Sequence, residues 1–554
     1  MKTRKVVFLR PGKLISQIGL ILIFWGLAYS LLAQKESEKG LPFITNYSAK
    51  TFNSLPQTWS IQQDENGMMY FGVQNYILEY DGLKWRKLQF PINTSSNVCR
   101  SMAKSKDGLI YYGAFGDIGY LSNDSLGQKR MYSLLDLIPA QYHNFLDVWS
   151  TYATESGIYF QSREYIFRYD YPKPGSKAKD SMKVWTPKTK FMYAFYLDGD
   201  YYVHQQGEGL YKMVNDSLVL IPGSEFLGKE RMQIMLPYKK TASGENQYLI
   251  GLFYSGLYLF NGHTFQPFAT KADPIIKSGF NLYKGIQLSN GNYVLSTTGK
   301  GLAIIDAQGN LLQKINRDVG LQDESIYAEF IDKKGSLWLA LDNGISRVEI
   351  ASPLTKFGLQ SGITTGVLSI NRFEGNLFIG MSNGLMAFNN STAVFEQVPG
   401  MPGSQVFSLV TAGDEMLVPG DGLFGVRNKK AYTVGKSVGA DLTLNGVYHS
   451  KKYPDILLGI GNFGVAVFQK QNKAASPESS ANWHFEGYIP EIKDQLWSIV
   501  ENADGTIWAG TQVGHSYHIT LGFDETGNID LKKTTFEIYG PRMDIKMDLG
   551  LSIQ

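Results

Sequence analysis

The histidines are the residues of this sequence that would first suggest metal or acid–base chemistry. The chain has 7 of them, and only His515 and His518 lie close together, in the stretch Gly-His-Ser-Tyr-His. On a β-strand, residues three apart point to opposite faces, so this pair makes a poor metal site without help from a loop. We therefore expect no metal site and no cofactor.

Motifs of catalysis and of calcium binding are the next candidates. The sequence contains no H-E-x-x-H motif and no glycine-rich phosphate loop that opens a helix. Pairs such as Asp107-Gly108 and Asp504-Gly505 could suggest calcium, but a calcium loop needs further carboxylates at fixed spacing, and hairpin turns explain the pairs. We expect a protein that is not an enzyme, with an exported lyase or hydrolase as the alternative.

Aromatic and charged residues near the starts of successive strand segments form the candidate ligand site. Aromatic faces stack on sugar rings, and arginine and aspartate side chains form hydrogen bonds with hydroxyl and carboxylate groups. Packing between neighbouring repeats is the competing explanation for the aromatic residues. The candidates are Trp59, Arg100, Asp147, Trp149, Tyr193, Arg231, Tyr283 and Tyr327.

Short stretches of similar sequence recur along the chain. The structure that they form must position the candidate site residues. Segments 246–260, 335–349, 375–388 and 505–519 each indicate two short strands around a turn. The residue that opens the second strand is apolar from Ile77 to Val465, and His515 takes the same place in the last unit; the average spacing is about 44 residues. Four antiparallel strands in about 40 to 50 residues form one blade of a β-propeller.

A longer repeat lies above the blade repeat. Gly67 matches Gly375 and Ile77 matches Leu385, which gives an offset of about 308 residues, or seven blades. The chain therefore restarts after seven blades. The strand at 44–47 should close the first ring by pairing into its last blade.

These repeats predict an all-β chain made of tandem β-propellers with four-stranded blades. The first propeller should have seven blades over 42–351. The second should be incomplete, with about four blades over 352–540, and a tail should follow over 541–554.

Composition agrees with many short strands and tight turns. The chain has 33 Tyr, 31 Phe and 58 Gly, and only 19% of its residues are charged. The formal net charge is +3, and the basic residues are scattered, so we expect no nucleic-acid partner. The one cysteine, Cys99, has no partner for an internal disulfide, and we expect it to be a small buried residue.

The amino terminus has the pattern of an export signal. Residues 1–13 carry five basic residues, and an apolar run over 18–33 follows them. The run is short for a membrane span, so we favour a signal peptide over 1–33 that is cleaved, with a retained anchor as the alternative. The rest of the chain should then be periplasmic, with this segment as its only contact with the membrane.

The units at 326–349 and 495–514 resemble the two-component-regulator propeller repeat. They share an apolar strand, an Asp followed by Gly, a strand containing Trp, and a turn into a second apolar strand. The resemblance implies the periplasmic sensor region of a bacterial hybrid two-component or related regulator. Such regions have two seven-bladed propellers and a β-sandwich, followed by a membrane helix and an output domain, and relatives sense oligosaccharides.

The function expected from this resemblance is ligand sensing. The ligand would be an oligosaccharide or another small molecule, most simply a glycan fragment, and a homodimer is an open alternative to a monomer. The sequence ends at Gln554 without the implied sandwich or output domain. We therefore expect a sensing region that lacks its output domains, with a protein-interaction scaffold as a further alternative.

Overall fold

The structure is a computed structural model, and it describes Glu38 and residues 40–91, 97–171, 182–240, 244–434, 442–470 and 483–540. The described residues contain 44 strands in eleven four-stranded antiparallel sheets. They form two compact units: the first unit covers Leu41–Lys356, and the second unit begins at Phe357. The predicted signal segment and the predicted tail lie outside the described residues.

The first unit contains seven sheets, numbered here in chain order. The first sheet has β2 (Thr58–Gln63), β3 (Met69–Val73), β4 (Tyr76–Tyr80) and β5 (Trp85–Gln89), and the second has β6 (Cys99–Lys104), β7 (Ile110–Ala114), β8 (Asp117–Asn123) and β9 (Lys129–Ser133). The third has β10 (Ser150–Ala153), β11 (Gly157–Gln161), β12 (Ile166–Asp170) and β13 (Met182–Trp185), and the fourth has β14 (Phe191–Leu197), β15 (Asp200–Gln205), β16 (Gly209–Val214) and β17 (Ser217–Leu220). The fifth has β18 (Met232–Lys240), β19 (Asn246–Leu252), β20 (Gly256–Phe260) and β21 (Phe265–Phe268), and the sixth has β22 (Leu282–Gln287), β23 (Tyr293–Thr297), β24 (Leu302–Ile305) and β25 (Leu311–Ile315). The seventh has β26 (Ile326–Ile331), β27 (Leu337–Leu341), β28 (Gly344–Val348) and β1 (Ile44–Tyr47).

The first strand of the chain closes the ring. Strand β1 pairs antiparallel with β28, with Ile44 opposite Val348 and Tyr47 opposite Ile345, and so completes the sheet that contains Trp338. The first strand of each sheet is its inner strand, and each inner strand packs beside the next around the ring, with β26 beside β2. The prediction of a closed seven-bladed propeller is confirmed.

Aspartate side chains shape the hairpin turns that recur in the sequence. Asp332 accepts hydrogen bonds from the amides of Lys334 and Ser336, both at 2.9 Å, and from the indole of Trp338 at 2.8 Å. Gly335 follows with φ +82°, a conformation that favours glycine. The Asp332 carboxylate thus binds donors within its own turn and the indole of Trp338. These hydrogen bonds explain, without calcium, why Asp, Gly and Trp occur together in this pattern.

Hydrophobic cores lie between neighbouring sheets. The first and seventh sheets share a cluster that includes Phe71, Leu78 and Trp338, all buried. On another face of the first sheet, Gly72 lies against the second sheet, where an added Cβ would meet the hydroxyl of Ser60 and the carbonyl of Cys99. Glycine at this position lets successive inner strands approach closely. Cys99 is fully buried, as expected, and burial raises the pKa of its thiol to about 12.

Short helical turns are few among the described residues. There is one turn of α-helix at Asp273–Ile276, and there are 3₁₀ turns at Leu135–Leu137, Ala140–Tyr142, Glu225–Lys229, Arg317–Val319 and Leu359–Ser361. None of the helices in the described part of the chain is long and apolar enough to cross a membrane.

The second unit contains four sheets of the same design. They are β29 (Val367–Phe373), β30 (Asn376–Met381), β31 (Gly384–Asn389) and β32 (Val394–Gln397); β33 (Val410–Ala412), β34 (Glu415–Gly420), β35 (Gly422–Arg427) and β36 (Lys430–Val434); β37 (Leu444–His449), β38 (Ile456–Gly461), β39 (Gly464–Lys470) and β40 (Trp483–Tyr488); and β41 (Leu496–Glu501), β42 (Ile507–Thr511), β43 (Ser516–Thr520) and β44 (Thr535–Tyr539). Three hydrophobic clusters join these sheets in chain order. The four blades expected after the first propeller are confirmed.

Candidate functional site

β-Bulges bring most of the predicted site residues to one end of the first ring. In six of its seven sheets, the register of the inner strand shifts by an extra residue near the strand's start. A bulge turns the extra side chain away from the regular pleat, and bulges are common beside binding sites. The residues within these shifts are Trp59, Arg100, Met192, Tyr193, Gln233, Tyr283 and Tyr327. Trp149 immediately precedes β10 of the third sheet.

Five of these side chains form an aromatic circuit, the name used here for Trp59, Tyr327, Tyr283, Tyr193 and Trp149. Trp59 stacks on Tyr327 with ring centroids 4.2 Å apart, and Tyr327 meets Tyr283 at 5.6 Å. Trp149 meets Tyr193 at 6.1 Å and Trp59 at 6.5 Å. The hydroxyls of Tyr193 and Tyr283 lie 3.4 Å apart, which completes the circuit.

Arg100 and Asp147 lie together beside the circuit. The Arg100 guanidinium donates to the Asp147 carboxylate at 2.6 Å, and the two side chains are only 16% and 20% exposed. The same guanidinium lies 3.8 Å from the ring centre of Trp59 and 5.1 Å from that of Trp149. Trp59 is therefore in contact with Tyr327 and with Arg100, while Nη1 of Arg100 is buried without a hydrogen-bond partner in the described structure.

Two further cations, Arg163 and Lys284, contact the circuit and were not predicted as site residues. Arg163 lies 5.0 Å from the ring centre of Trp149 and 5.1 Å from that of Tyr193, and Lys284 lies 4.9 Å from that of Tyr193. Neither has a carboxylate within 4.0 Å among the described residues. Burial, together with repulsion from Arg231, lowers the pKa of Arg163.

A cavity of about 230 Å³ lies at the centre of the ring, against Trp59, Arg100 and Trp149. Besides Arg100, Lys284 and Glu329 contribute charged groups to it. Burial raises the pKa of the Glu329 carboxyl to about 8, although the Ser296 hydroxyl donates to it and Lys284 attracts its charged form. Oε2 of Glu329 is buried and has no hydrogen-bond partner in the described part of the chain.

Arg231, one of the predicted site residues, immediately precedes β18 and does not contact the rings of the aromatic circuit in the described structure. Its guanidinium packs over the ring of Phe253 at 4.0 Å and lines a separate cavity of about 570 Å³. Met192 also lines this cavity, and its carbonyl accepts a hydrogen bond from Arg163 at 2.5 Å. Arg163 therefore connects the two regions.

Packing between blades accounts for part of the circuit. Tyr193 and Tyr283 are 2% and 9% exposed, so their faces are not open to a ligand. Trp59, Trp149 and Tyr327 are half-buried, but Trp59 is covered by its neighbours. Trp149 also keeps part of its ring exposed, with the Arg100 and Arg163 guanidinium groups beside it.

The histidines and the other residues that could bind a metal do not come together in the described part of the structure. They hold no group of three or more His, Cys, Asp or Glu side chains that could bind a metal. His515 forms a 2.6 Å contact with Asp494, and His518 stacks on Trp508, so the two histidines have different partners.

A serine motif typical of α/β-hydrolases, G-x-S-x-G, occurs at 380–384 and 435–439. Ser382 lies in the hairpin turn between β30 and β31, whereas the catalytic motif requires a turn from a strand into a helix. The second occurrence lies outside the described residues. The motif at Ser382 is thus explained as a hairpin turn.

Comparison with known proteins supports the β-propeller class. No protein-family model matches the chain, and no curated protein matches it. Among solved structures, it is similar to BT3049 of B. thetaiotaomicron, described as the extracellular domain of a hybrid two component system, at 16% identity and a TM-score of 0.63. The match covers 89% of this chain and 66% of that one, so the chain spans less than two thirds of that structure. At this identity the likeness shows the fold.

Two further solved structures are similar at TM-scores below 0.5. The extracellular domain of the one component system BT4673 from B. thetaiotaomicron has 14% identity and a TM-score of 0.43, over 89% of this chain and 70% of that one. Virginiamycin B lyase from Staphylococcus aureus has 12% identity and a TM-score of 0.37, over 56% of this chain and 99% of the lyase.

Proposed function

We propose that this chain is the extracytoplasmic ligand-sensing region of a bacterial signal-transduction regulator, and that it binds a glycan fragment without turning it over. The observation that carries the proposal is the convergence of bulged inner-strand residues, from six of seven sheets, at one end of the first ring. The sequence resemblance and the apolar amino-terminal segment support the sensor role and the export.

The chemistry at this end of the ring suits a polar ligand with ring-shaped units. Trp149 offers a partly open indole surface between Arg100 and Arg163. Gln233 is 2% exposed, and both polar atoms of its amide have no hydrogen-bond partner among the described residues. Buried polar groups normally have partners, so Gln233 and Nη1 of Arg100 favour a bound ligand or water here.

The charged groups at this end of the ring are better suited to binding a ligand than to catalysing a reaction. Asp147 is engaged by Arg100, and Asp342 accepts hydrogen bonds from Tyr327 at 2.9 Å and Gln57 at 2.7 Å. Both carboxylates are thereby held by donors within the protein. Glu329, in the central cavity, has the raised pKa expected of a general acid, but it lies inside the ring beside Lys284.

The test is a binding screen with a turnover control. Thermal shift and calorimetry would be run with neutral and acidic oligosaccharides, because a ligand at 100 times its Kd stabilises a protein by about 2.7 kcal/mol. Trp149→Ala should abolish the shift, whereas Trp185→Ala, on the outer strand β13 of the same sheet, should retain it. Absence of binding across the screen would overturn the proposal, and so would product formation from a bound oligosaccharide.

A further inference from the structure

The cavity that contains Arg231 has the size and walls of a small-ligand site. It lies between the fourth and fifth sheets and measures about 570 Å³, within the range of roughly 300 to 1,000 Å³ typical of ligand pockets. Phe226, Tyr254 and Tyr258 contribute aromatic surface, and Tyr254 is 60% exposed. The cavity therefore combines an open aromatic surface with polar groups on its other walls.

The cations of this cavity are not neutralised by described residues. The Arg231 guanidinium makes no hydrogen bond or ion pair with any of them and only packs over Phe253. Lys229 is exposed and likewise has no ion pair in this part of the structure. The Glu230 carboxylate, by contrast, accepts the amides of Tyr254 and Ser255, both at 3.2 Å. The unpaired donors at Arg231 and Lys229 favour an anionic ligand.

A fully buried histidine, His204, belongs to the same wall of the cavity. His204 is 0% exposed, and its Nε2 lies 2.9 Å from the carbonyl oxygen of Leu227, which can only accept, so Nε2 carries the proton. Nδ1 is then an acceptor, and it has no partner among the described residues. Burial lowers the pKa of His204 to about 4, which keeps the ring neutral near pH 7.

The geometry points to this cavity as a subsite for a carboxylated sugar, an inference that rests on the proposed glycan-binding function. The guanidinium of Arg231 forms a bidentate pair with the sugar carboxylate, and Tyr254 stacks on the sugar ring. A longer saccharide extends past Met192 and Arg163 toward Trp149, since Arg163 contacts both residues.

The probes are D-galacturonate and its α-linked dimer, with galactose and the corresponding neutral dimer as matched controls. Calorimetry on the whole chain at low salt should show the acidic sugars binding more tightly than the neutral ones by about tenfold or more. Arg231→Gln should remove that preference, because it keeps a polar side chain but loses the charge and the guanidinium donors. Arg130→Gln is the control, since Arg130 is exposed on β9 and paired with Asp124.

The outcomes separate this inference from the proposed function. Equal affinity for the acidic and neutral sugars, or unchanged galacturonate binding in Arg231→Gln, would overturn the carboxylate subsite. If neutral oligosaccharides bind in a way that depends on Trp149 while galacturonate does not bind, the subsite fails and the proposed function stands. Displacement of galacturonate by an equal concentration of inorganic sulfate would reduce the cavity to a general anion site and would also contradict the inference. Unchanged melting of Arg231→Gln without ligand verifies that the variant folds.

Discussion

Arg100 of the second sheet donates a 2.6 Å hydrogen bond to Asp147, which precedes the third sheet, and at the same time covers the ring of Trp59 in the first sheet. One side chain thus ties three neighbouring blades together at the mouth of the ring. Arg100 therefore has a structural role in addition to the role in ligand binding that the sequence predicts for it.

Replacing Arg100 should therefore destabilise the protein even without ligand. Arg100→Ala leaves the Asp147 carboxylate partly buried and unpaired and removes the cation from the Trp59 ring, so we expect a loss of about 1–3 kcal/mol. The double variant Arg100→Ala with Asp147→Ala should lose less than the two single losses combined, because the unpaired charge is also gone. Thermal melting of the two single variants and of the double variant measures these losses of stability.

The matched control is Arg130→Ala, in which an exposed arginine loses its pairing with Asp124. Exposed ion pairs contribute roughly 0–1 kcal/mol, so this variant should melt close to wild type. Equal melting temperatures for the Arg100 and Arg130 variants would contradict the structural role of Arg100.

Glu329 should make stability depend on pH. Its folded-state pKa is about 8, above the usual 4.5, so between these values the folded state binds a proton more tightly than the unfolded state. The resulting contribution of Glu329 to the stability of the folded state is fully present below about pH 4.5 and is lost as the pH rises through about 8. Lys284 faces the carboxyl and opposes the shift, and the side chain borders the cavity, so the effect should be smaller than full burial implies.

The measurement compares wild type with Glu329→Gln from pH 4 to 9. Other titrating groups are shared, so the difference in melting temperature isolates Glu329. The wild type should lose stability relative to the variant as the pH rises from about 5 to 8.5. A constant difference across this range would show that the pKa of Glu329 is not raised.

The architecture could be predicted from the sequence because it depends on regular local patterns. The spacing of apolar residues such as Ile77 and Leu385 indicated seven blades and then four, and the match between the start of each ring indicated the closing strand β1. Hairpins of this kind are set by turns and strand alternation within about 20 residues.

The contacts within the site could be predicted only in part. Inner-strand starts were expected to converge, but Arg163 lies in the turn between β11 and β12, and Lys284 follows a bulge on β22. Which way a side chain points beside a bulge depends on the neighbouring strand, not on its own sequence. Trp59 and Arg100 are each followed by a serine at the bulge. This small residue could have indicated from the sequence where the bulges lie.

Ring closure should depend on Tyr47. Its ring stacks on Trp338 with centroids 5.7 Å apart and meets Tyr80 and Trp85 edge-on, both at 5.5 Å. Tyr47→Ala removes these contacts from the strand that completes the seventh sheet, and we expect a loss of about 2–4 kcal/mol. Thermal melting and limited proteolysis would detect it, and Leu83→Ala, at an 89% exposed position, is the control. Melting of Tyr47→Ala at the control temperature would show that β1 contributes little to closure.

The first inner strand of the second unit should give the protein an exposed apolar surface. Val367, Leu368 and Ile370 on β29 are 46%, 36% and 67% exposed, and neighbouring exposed apolar residues bind hydrophobic dyes and favour association. Ile370→Thr keeps a β-branched side chain, so it should lower dye fluorescence and self-association without lowering the melting temperature. Val219→Thr, at a 50% exposed position on β17, is the control and should leave dye binding unchanged. Equal dye fluorescence in wild type and Ile370→Thr, together with equal mass by light scattering, would show that β29 is covered in solution.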